Sequence, residues 1–481
     1  MDGDGDTNRW LGGIDPDDLD SKRGHLCAEI INDGIDQDGL AGDLLIPQDE
    51  FIQVLGNELE SARPALPTDN SRPNLILISL DPVRADHLGC YGYSRPTSPN
   101  IDRLAEEGVL FSNVISPSSW TLPSHASMLT GLFPTTHGVN LPEKCIPTQL
   151  PYLPSLLKEQ GYYCAAFTSG GFASRRYFGR DFAVYKDLDF HAQSTFSQAR
   201  EFILDVPREP FFLFLHTYQP HAPYGDCPWG KKFFSPEYPP LPFESPVDLP
   251  PDLFEDIQGD LRRYDADILW TDYWVGRFLD SLHNTSLGER SVVLLVSDHG
   301  EQFYEHGESQ HGVSLHAEEL RVPLIIAWPE RLPKGVTCDA PANLIDLFPT
   351  LLHLAGASLP AIHHGIDLLW LMKMGNHSRP RYSCLEYYHH RLRQFAVVKD
   401  KFKLILSPEI QVGELYDLLL DPWEVNNLNE THPERSRQYR EELENAVQIM
   451  IYQRYELHES SEKIEIAGEL REDLRALGYI R

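Results

Sequence analysis

The chain has 481 residues, of which 41% are hydrophobic and 23% are charged, and its formal net charge is −31. A chain of this length can bury the core of one large domain and a smaller one. The acidic surplus argues against nucleic acid and anionic lipid as partners, because binding to either needs clustered Lys and Arg. An anionic substrate remains compatible with this charge, since a metal ion and a few His or Arg side chains can create a local positive site.

The first part of the chain differs in composition from the rest. Residues 1–70 contain 17 Asp and Glu against 4 Lys and Arg. We interpret residues 1–72 as an acidic N-terminal arm and linker. The sequence shows no secretory signal and no apolar stretch of about 18 residues, so we expect a cytoplasmic protein without a membrane span. The seven scattered cysteines include no Cys-x-x-Cys pair, and we interpret them as free thiols.

From Pro73 onward, short apolar runs alternate with helical patterns, which is typical of an α/β domain. The predicted strands cover 74–80, 162–168, 210–216, 291–297 and 322–328. The predicted helices cover 98–108, 150–161, 261–284 and 343–356, and several are followed by Gly. Continuous apolar strands are buried on both faces. We therefore expect a large, mostly parallel or mixed central sheet flanked by helices over residues 73–380.

Two later segments depart from this alternation. The proline-rich segment 219–252 predicts a loop over the strand ends, where loops often determine specificity. After residue 380, the runs QFAVVKD, KFKLIL and LYDLLLDPWE precede a charged helical pattern over 432–456. This order predicts a small antiparallel sheet with a covering helix, so we expect residues 381–481 to form a C-terminal α+β subdomain.

Acidic and histidine side chains follow two of the predicted strands. Asp81 comes directly after NLILISL, and Asp298 and His299 come after SVVLLVS. Ligands of open α/β sheets bind at the carboxyl ends of the strands, so we expect these side chains to converge. Two Asp and one His suit a divalent cation. A single Asp after a strand is more often a turn or cap residue, but the context SDHGE…EHG…HG favours the metal site.

A hydroxyl group stands at a predicted helix start in the run SSWTLPSHASMLTG. Thr121 precedes a proline in the first turn of a helix that Gly131 ends, so it lies at or near the N-cap. A hydroxyl there faces free backbone N–H groups and the positive end of the helix dipole, which suits a tetrahedral anion. The alternative is that Thr121 only caps the helix.

The chain resembles the sulfatase family of the alkaline phosphatase superfamily in motifs that follow the family's order. They include NLILISLDPVRADHLGCYG, SWTLPSHASMLTGLFPTTHGV, FLFLHTYQPHAPY, VVLLVSDHGEQFYEHG, HGVSLHAEELRVPLIIAWP and ELYDLLLDPWEVNNL. The resemblance covers roughly residues 73–481 and implies an alkaline-phosphatase-like fold. It also implies a hydrolase of sulfate or phosphate esters of a small molecule or carbohydrate. Asp81, Asp298 and His299 would hold the metal ion, with the nucleophile at position 121.

The resemblance further implies roles for four histidines. His221 and His311 match positions that contact the anion or protonate the leaving group. His216 matches another frequent family histidine, and His125 stands where the family has an arginine that fixes the nucleophile, so we expect both to bind substrate. Binding of a second metal ion by His221 and His311 remains open as an alternative.

Departures from the family pattern concern the nucleophile and the metal. Sulfatases of the family oxidise Cys or Ser in Cys/Ser-x-Pro-x-Arg to formylglycine, whereas this chain has Thr121-Leu122-Pro123-Ser124-His125. Threonine cannot form the same aldehyde, because its carbinol carbon carries a methyl group, so we expect no formylglycine. Pro82 stands where many sulfatases have a second Asp. Among Mn²⁺, Zn²⁺, Mg²⁺ and Ca²⁺, fewer carboxylates favour the first three.

Three functions stay open at this point. The first is a metal-dependent, sulfatase-like hydrolase with Thr121 as a metal-activated nucleophile. The second is a phosphodiesterase or phosphotransferase that forms a phosphothreonine at position 121. The third is a catalytically idle, sulfatase-like binding protein.

Overall fold

The computed structural model describes most of the chain after the predicted acidic arm. The described residues are 72–205, 208–242, 249–329, 331–374, 379–386, 393–408 and 412–457. The predicted arm and Cys27 lie outside them, as does the end of the chain after residue 457. The six remaining cysteines are all free thiols. None of the helices in the described ranges is long and apolar enough to cross a membrane.

Strands and helices alternate along the described residues. The strands are β1 Asn74–Leu80, β2 Val109–Phe111, β3 Val114–Ile115, β4 Tyr163–Thr168, β5 Val184–Asp187, β6 Phe211–Thr217, β7 Ser291–Val296, β8 Gln302–Phe303, β9 Ser309–Gln310, β10 Leu324–Ala327, β11 Val336–Cys338, β12 Ala342–Asn343, β13 Arg381–Leu385, β14 Gln394–Lys399, β15 Phe402–Ser407 and β16 Val412–Asp417. The α-helices are α1 Pro99–Glu106, α2 Thr121–Thr130, α3 Pro134–His137, α4 Leu153–Glu159, α5 Arg175–Phe178, α6 Ala192–Leu204, α7 Pro251–His283, α8 Ala317–Leu320, α9 Leu347–Leu354, α10 Leu368–Met374 and α11 Pro433–Leu457.

The central sheet has eight strands in the order β11-β2-β10-β7-β1-β6-β4-β5. Neighbouring strands are parallel except at β10, which runs antiparallel to both β2 and β7. The expected large, mostly parallel central sheet is therefore confirmed.

The strands in the middle of this sheet are buried on both faces, because their side chains alternate between two hydrophobic cores. Leu75 and Leu77 of β1 belong to one core, which α2 and α9 also line. Ile76 and Ile78 belong to the other, which α6 and α7 line. The pairing in register of β1 with β6 and β7 brings the carboxyl ends of these three strands to one edge of the sheet.

A second, four-stranded antiparallel sheet has the order β13-β14-β15-β16. Helix α11 packs on it through Tyr439, Leu443 and Val447. Phe133 and Ile345, from the part of the chain that holds the central sheet, share this core. The expected small antiparallel sheet with a helix is confirmed, whereas the domain boundary near residue 381 stays a prediction.

Several elements differ from the sequence-based expectation. Helix α7 begins at Pro251, ten residues before the predicted start, because the polar run PDLFEDIQGD continues the helix outside the apolar pattern. Strands β2, β5 and β11 were not predicted; each has only three or four residues, and β5 and β11 are largely exposed. The predicted strand at 322–328 is the antiparallel strand β10, reduced to four residues.

Candidate active site

Two carboxylates and one imidazole meet at the carboxyl edge of β1 and β7. Asp81 follows β1 directly, and Asp298 and His299 follow β7 after Ser297. His299 Nε2 lies 3.5 Å from Asp81 Oδ1 and 3.4 Å from Asp298 Oδ2. All three side chains are completely buried. The structure thus brings together the three residues that the sequence proposes as metal ligands, and we call them the carboxylate cluster.

The turn after β7 depends on a close backbone approach. A Cβ atom on Gly300 would lie 2.0 Å from the carbonyl oxygen of Glu318, so glycine alone fits there. Backbone N–H groups of Gly300 and Glu301 donate to the carbonyls of Glu319 and Glu318. Ser297 accepts a hydrogen bond of 2.8 Å from the backbone N–H of Val83. These contacts tie the turn to its neighbours and fix Asp298 and His299.

Thr121 is the first residue of helix α2, so the expected placement at a helix start matches the structure. Gly131 ends this helix in the left-handed conformation, with φ of 70°. Thr121 Oγ1 donates a hydrogen bond of 3.0 Å to Asp81 Oδ2, and it lies 3.3 Å from His299 Nε2. The hydroxyl therefore points into the carboxylate cluster while it stands at the positive end of the helix dipole.

Three of the four carboxylate oxygens in the carboxylate cluster receive no hydrogen bond from the described residues. Asp81 Oδ1 and both carboxylate oxygens of Asp298 are buried and have no hydrogen-bond partner among the described residues. Buried polar groups normally have a partner, and buried carboxylates are normally paired or bind a metal ion. Two oxygen-bearing side chains and one imidazole are a donor set that suits a divalent cation. The residues present thus fit the metal ion that the family resemblance implies.

The protonation of the cluster follows from its burial. Burial raises the pKa of Asp298 well above its usual range, and the charge of Asp81 raises it further. Burial also acts to raise the pKa of Asp81, but the nearby His299 and His216 outweigh it and hold that pKa low. Burial and His311 lower the pKa of His299 to about 3, so its imidazole is neutral near pH 7. A bound cation would favour ionisation of both carboxyl groups.

His216 contacts Asp81, and His125 contacts Thr121. His216 Nε2 is 3.1 Å from Asp81 Oδ2. His125 Nδ1 lies 2.9 Å from the carbonyl oxygen of Thr121, and its Nε2 lies 3.0 Å from Ser79 Oγ. Both ring nitrogens of His125 therefore contact protein atoms, one of them at the first residue of helix α2.

His221 and His311 lie next to each other, with their ring centres 4.8 Å apart. His311 lies 4.3 Å from His299 between ring centres, and its Nδ1 lies 3.0 Å from Glu301 Oε1. His221 Nδ1 lies 2.7 Å from the carbonyl oxygen of Ala222. Burial and the nearby His311 lower the pKa of His221, so its ring is neutral near pH 7 until an anion approaches.

Glu301 and Ser79 have no role predicted from the sequence, yet they contact His311 and His125, respectively. Burial raises the pKa of Glu301 to about 7, although the nearby His221 acts to lower it. A signal for Glu301 was present, because it directly follows the Asp-His-Gly run. Ser79 carried no such signal, since it lies within a strand whose pattern indicates only burial.

The fold and this site define an ester hydrolase of the alkaline-phosphatase-like type, and comparisons with known proteins agree. The family described as Sulfatase matches residues 73–357, and the family described as N-sulphoglucosamine sulphohydrolase, C-terminal, matches residues 305–452. The chain belongs to the sulfatase family. It is therefore an enzyme of the sulfuric-ester-hydrolase type. A phosphonate monoester hydrolase shares its fold.

Individual relatives are distant but cover most of the chain. An ulvan-active sulfatase of Formosa agariphila is 26% identical, over 74% of this chain and 77% of its own length. A Δ4,5-hexuronate-2-O-sulfatase of Bacteroides thetaiotaomicron is 24% identical, over 74% of this chain and 84% of its own. The crystal structure of a phosphonate monoester hydrolase of Agrobacterium radiobacter superposes with a TM-score of 0.67 at 19% identity, over 83% of this chain and 99% of its own.

Proposed function

We propose that this chain hydrolyses an ester of phosphate or sulfate, with Thr121 as the nucleophile and a divalent metal ion at the carboxylate cluster. One observation carries the proposal: Thr121 Oγ1 lies 3.0 Å from Asp81 Oδ2 and 3.3 Å from His299 Nε2. A hydroxyl that serves only as a helix cap would have no reason to face a buried carboxylate and an imidazole.

Asp81, Asp298 and His299 would hold the ion, which would lower the pKa of the Thr121 hydroxyl and offset the charge of the substrate. Asp81 accepts the hydrogen bond of that hydroxyl and so aims it. His125 is bonded to the carbonyl of Thr121 and to Ser79, and we assign it a positioning role instead of the substrate contact expected from the sequence. His216, bonded to Asp81, remains the candidate for substrate contact.

The leaving oxygen needs a proton, and His221 and His311 are the candidates to give it. Attack by Thr121 Oγ would form a new bond to phosphorus or sulfur, and the bond to the leaving oxygen would break. The hydroxyl proton would pass to Asp81 Oδ2, which accepts its hydrogen bond. An arriving anion raises the pKa of a buried imidazole, so the substrate itself would help to protonate the donor. General-acid catalysis of this kind contributes typically about 10²–10⁴-fold.

Threonine favours phosphorus over sulfur as the reacting centre. The formylglycine hydrate releases sulfate by collapsing back to the aldehyde, a route that Thr121 lacks. A phosphothreonine can instead be opened by water that attacks phosphorus and restores the hydroxyl. A sulfate ester is the second candidate, because the curated relatives are sulfatases. The names of these relatives also support a carbohydrate as the organic part of the substrate.

The test measures turnover of 4-nitrophenyl sulfate, 4-nitrophenyl phosphate, bis(4-nitrophenyl) phosphate and 4-nitrophenyl phenylphosphonate with Mn²⁺, Zn²⁺, Mg²⁺ or Ca²⁺. We expect a phosphorus ester to be the best substrate. Thr121→Ala should lower kcat at least about thousandfold, as expected for a nucleophile. Acid quenching of the wild-type reaction should yield a peptide phosphorylated at Thr121, detected by mass spectrometry.

Thr130→Ala is the matched control, because Thr130 is a buried threonine of the same helix whose hydroxyl donates 2.7 Å to the carbonyl of Ala126. Its loss should cost only about 1 kcal/mol of stability and leave turnover in place. Full activity of Thr121→Ala would contradict the nucleophile assignment. Turnover of the sulfate ester alone would overturn the preference for phosphorus.

A further inference from the structure

A cavity of about 480 Å³ lies beside the loop that leads away from the candidate active site. Its lining includes Asp189, Gln193, Asp226 and Trp270. The volume lies within the range of small-molecule sites, which combine an aromatic wall with a few polar groups. Among the residues that the structure describes, no Lys or Arg lines this cavity.

The wall of the cavity belongs to a group of half-buried aromatic rings. The ring centre of Trp270 lies 4.8 Å from that of Trp229 and 5.5 Å from that of Tyr273, which is stacked at 14°. Trp270 and Tyr273 are three residues apart on α7 and therefore share one helix face. Trp270 is the member of this group that lines the cavity, so its ring is the apolar surface on which the C–H face of a sugar ring would pack.

The polar side of the cavity offers hydrogen-bond acceptors for hydroxyl groups. The Asp226 carboxylate has no hydrogen-bond partner among the described residues. Asp189 accepts hydrogen bonds from the backbone N–H of His191 at 3.1 Å and from Ser194 Oγ at 2.9 Å, which fix its orientation. Each carboxylate oxygen has a further lone pair for a ligand.

The charge of the lining selects among sugar rings. Asp189 and Asp226 would repel a sulfated ring or a uronate, and the described part of the lining holds no Lys or Arg that would offset them. The Lys232 ammonium lies 4.4 Å from the centre of the Trp229 ring and is not part of the lining. An uncharged pyranose, with an apolar face and several hydroxyls, matches both walls.

The same loop serves the active site and the cavity. His221 and Asp226 are five residues apart, so their Cα atoms lie within about 18 Å of each other. The Gln219 side chain donates to the carbonyl oxygen of Asp226 at 2.9 Å and holds the loop in place. An oligosaccharide can bridge such a distance.

We propose that this cavity binds an uncharged pyranose ring of the carbohydrate whose ester group reaches Thr121. The proposal rests on the proposed function, because it specifies the organic part of the substrate. Binding supplies no chemistry at this place. Its effect is to select carbohydrates that carry an uncharged ring at a fixed distance from the ester.

The test is isothermal titration of the Thr121→Ala protein with three unsulfated hexasaccharides. Neoagarohexaose and hexa-N-acetylchitohexaose are uncharged, and a heparosan hexasaccharide carries uronates. We expect at least one uncharged hexasaccharide to bind with a Kd of about 1 mM or lower. In this background Trp270→Ala should weaken that binding about tenfold, as loss of an aromatic contact does. The heparosan hexasaccharide should bind more weakly than the uncharged ligand.

Two further variants keep the test independent of folding defects. Asp226→Asn, at an exposed position, should weaken binding several-fold, and Trp423→Ala, at a tryptophan that is 54% exposed outside the cavity, should leave binding unchanged. No binding of either uncharged hexasaccharide, unaltered binding by Trp270→Ala, or equal binding of heparosan would overturn the proposal. Turnover of the four 4-nitrophenyl esters by the wild-type chain separates the two failures. Turnover of any of them without sugar binding overturns the role of the cavity alone, and sugar binding without turnover of any of them overturns the proposed function.

Discussion

Two groups of acidic and histidine side chains in the described part of the chain bring three potential ligand atoms within 4.8 Å of one another. One is the carboxylate cluster, and the other consists of His306, His316 and Glu318, which we call the histidine cluster. Both groups combine carboxylates with imidazoles: two Asp and one His in the carboxylate cluster, and two His and one Glu in the histidine cluster. They differ in what their atoms already bind.

In the histidine cluster, hydrogen bonds occupy the nitrogens of His306. Its Nδ1 lies 2.6 Å from Glu318 Oε1, and its Nε2 lies 3.0 Å from the carbonyl oxygen of Glu424. His316 Nε2 lies 3.1 Å from Glu414 Oε2. The rings of His306 and His316 are stacked 3.7 Å apart at 8°, so their in-plane lone pairs cannot point at one ion. This cluster joins the chain around β8 and α8 to the segment that contains β16.

The carboxylate cluster has the opposite character, since three of its carboxylate oxygens have no hydrogen-bond partner among the described residues. Closeness of Asp, Glu and His side chains therefore does not distinguish a metal site from a structural contact. Buried carboxylate oxygens without hydrogen-bond donors favour a metal site, because such oxygens cost free energy when no cation binds them.

The largest expected effect concerns metal retention. Asp298→Asn should weaken binding of Mn²⁺ or Zn²⁺ at least about a hundredfold and abolish turnover, because a charged ligand is lost. Glu318→Gln is the matched change in the histidine cluster and should leave metal content as in the wild type. Elemental analysis after dialysis measures both. Equal loss of metal in the two variants would remove the distinction between the clusters.

A smaller effect on turnover is expected from the pair of Glu301 and His311. Its carboxylate lies 3.0 Å from the histidine Nδ1, close to the 2.6 Å between Glu318 and His306. Glu301→Gln should lower kcat about 10–100-fold for esters with poor leaving groups and less for 4-nitrophenyl esters, because His311 loses the carboxylate that orients it. Glu308→Gln, at an exposed glutamate of the same hairpin, serves as the control. The same loss for good and poor leaving groups would show that Glu301 acts on the fold and not on proton transfer.

The sequence predicted the centre of the fold because burial on both faces produces continuous apolar runs. Strand β1 matches its predicted range, and β6 and β7 deviate from theirs by one residue at most. The convergence of Asp81 with Asp298 and His299 followed from topology, since adjacent parallel strands end at one edge. The roles of these residues stay predictions until the variants are measured.

Contacts between side chains could not be predicted in the same way. Glu301 and His311 are ten residues apart in the sequence and meet across a hairpin, and no periodic pattern of the sequence predicts this contact. His125 lies in helix α2, and the contact of its Nε2 with Ser79 depends on how that helix packs against strand β1. Edge strands such as β5 escape prediction because partial exposure removes the apolar run.

The smallest effect is expected from the histidine cluster, which should contribute stability in a defined pH window. Burial acts to lower the pKa of His306, but the hydrogen bond and charge of Glu318 outweigh it and raise that pKa from 6.5 to about 9. Burial acts to raise the pKa of Glu318, and His306 outweighs it and lowers that pKa from 4.5 to about 2. The contribution is therefore complete between pH 4.5 and 6.5. It is lost as the pH rises through about 9 or falls through about 2.

His306→Gln should thus lower the free energy of unfolding by about 1–3 kcal/mol at pH 6, the value of a hydrogen bond between charged groups, and by much less at pH 10. Urea unfolding at a series of pH values measures the difference. His283→Gln is the control, because His283 lies 3.7 Å from Glu107 in an ion pair whose side chains are 37% and 39% exposed. That variant should change stability by less than about 0.5 kcal/mol at any pH. A pH-independent loss in His306→Gln would mean that packing against His316, and not the charge of the pair, holds this contact together.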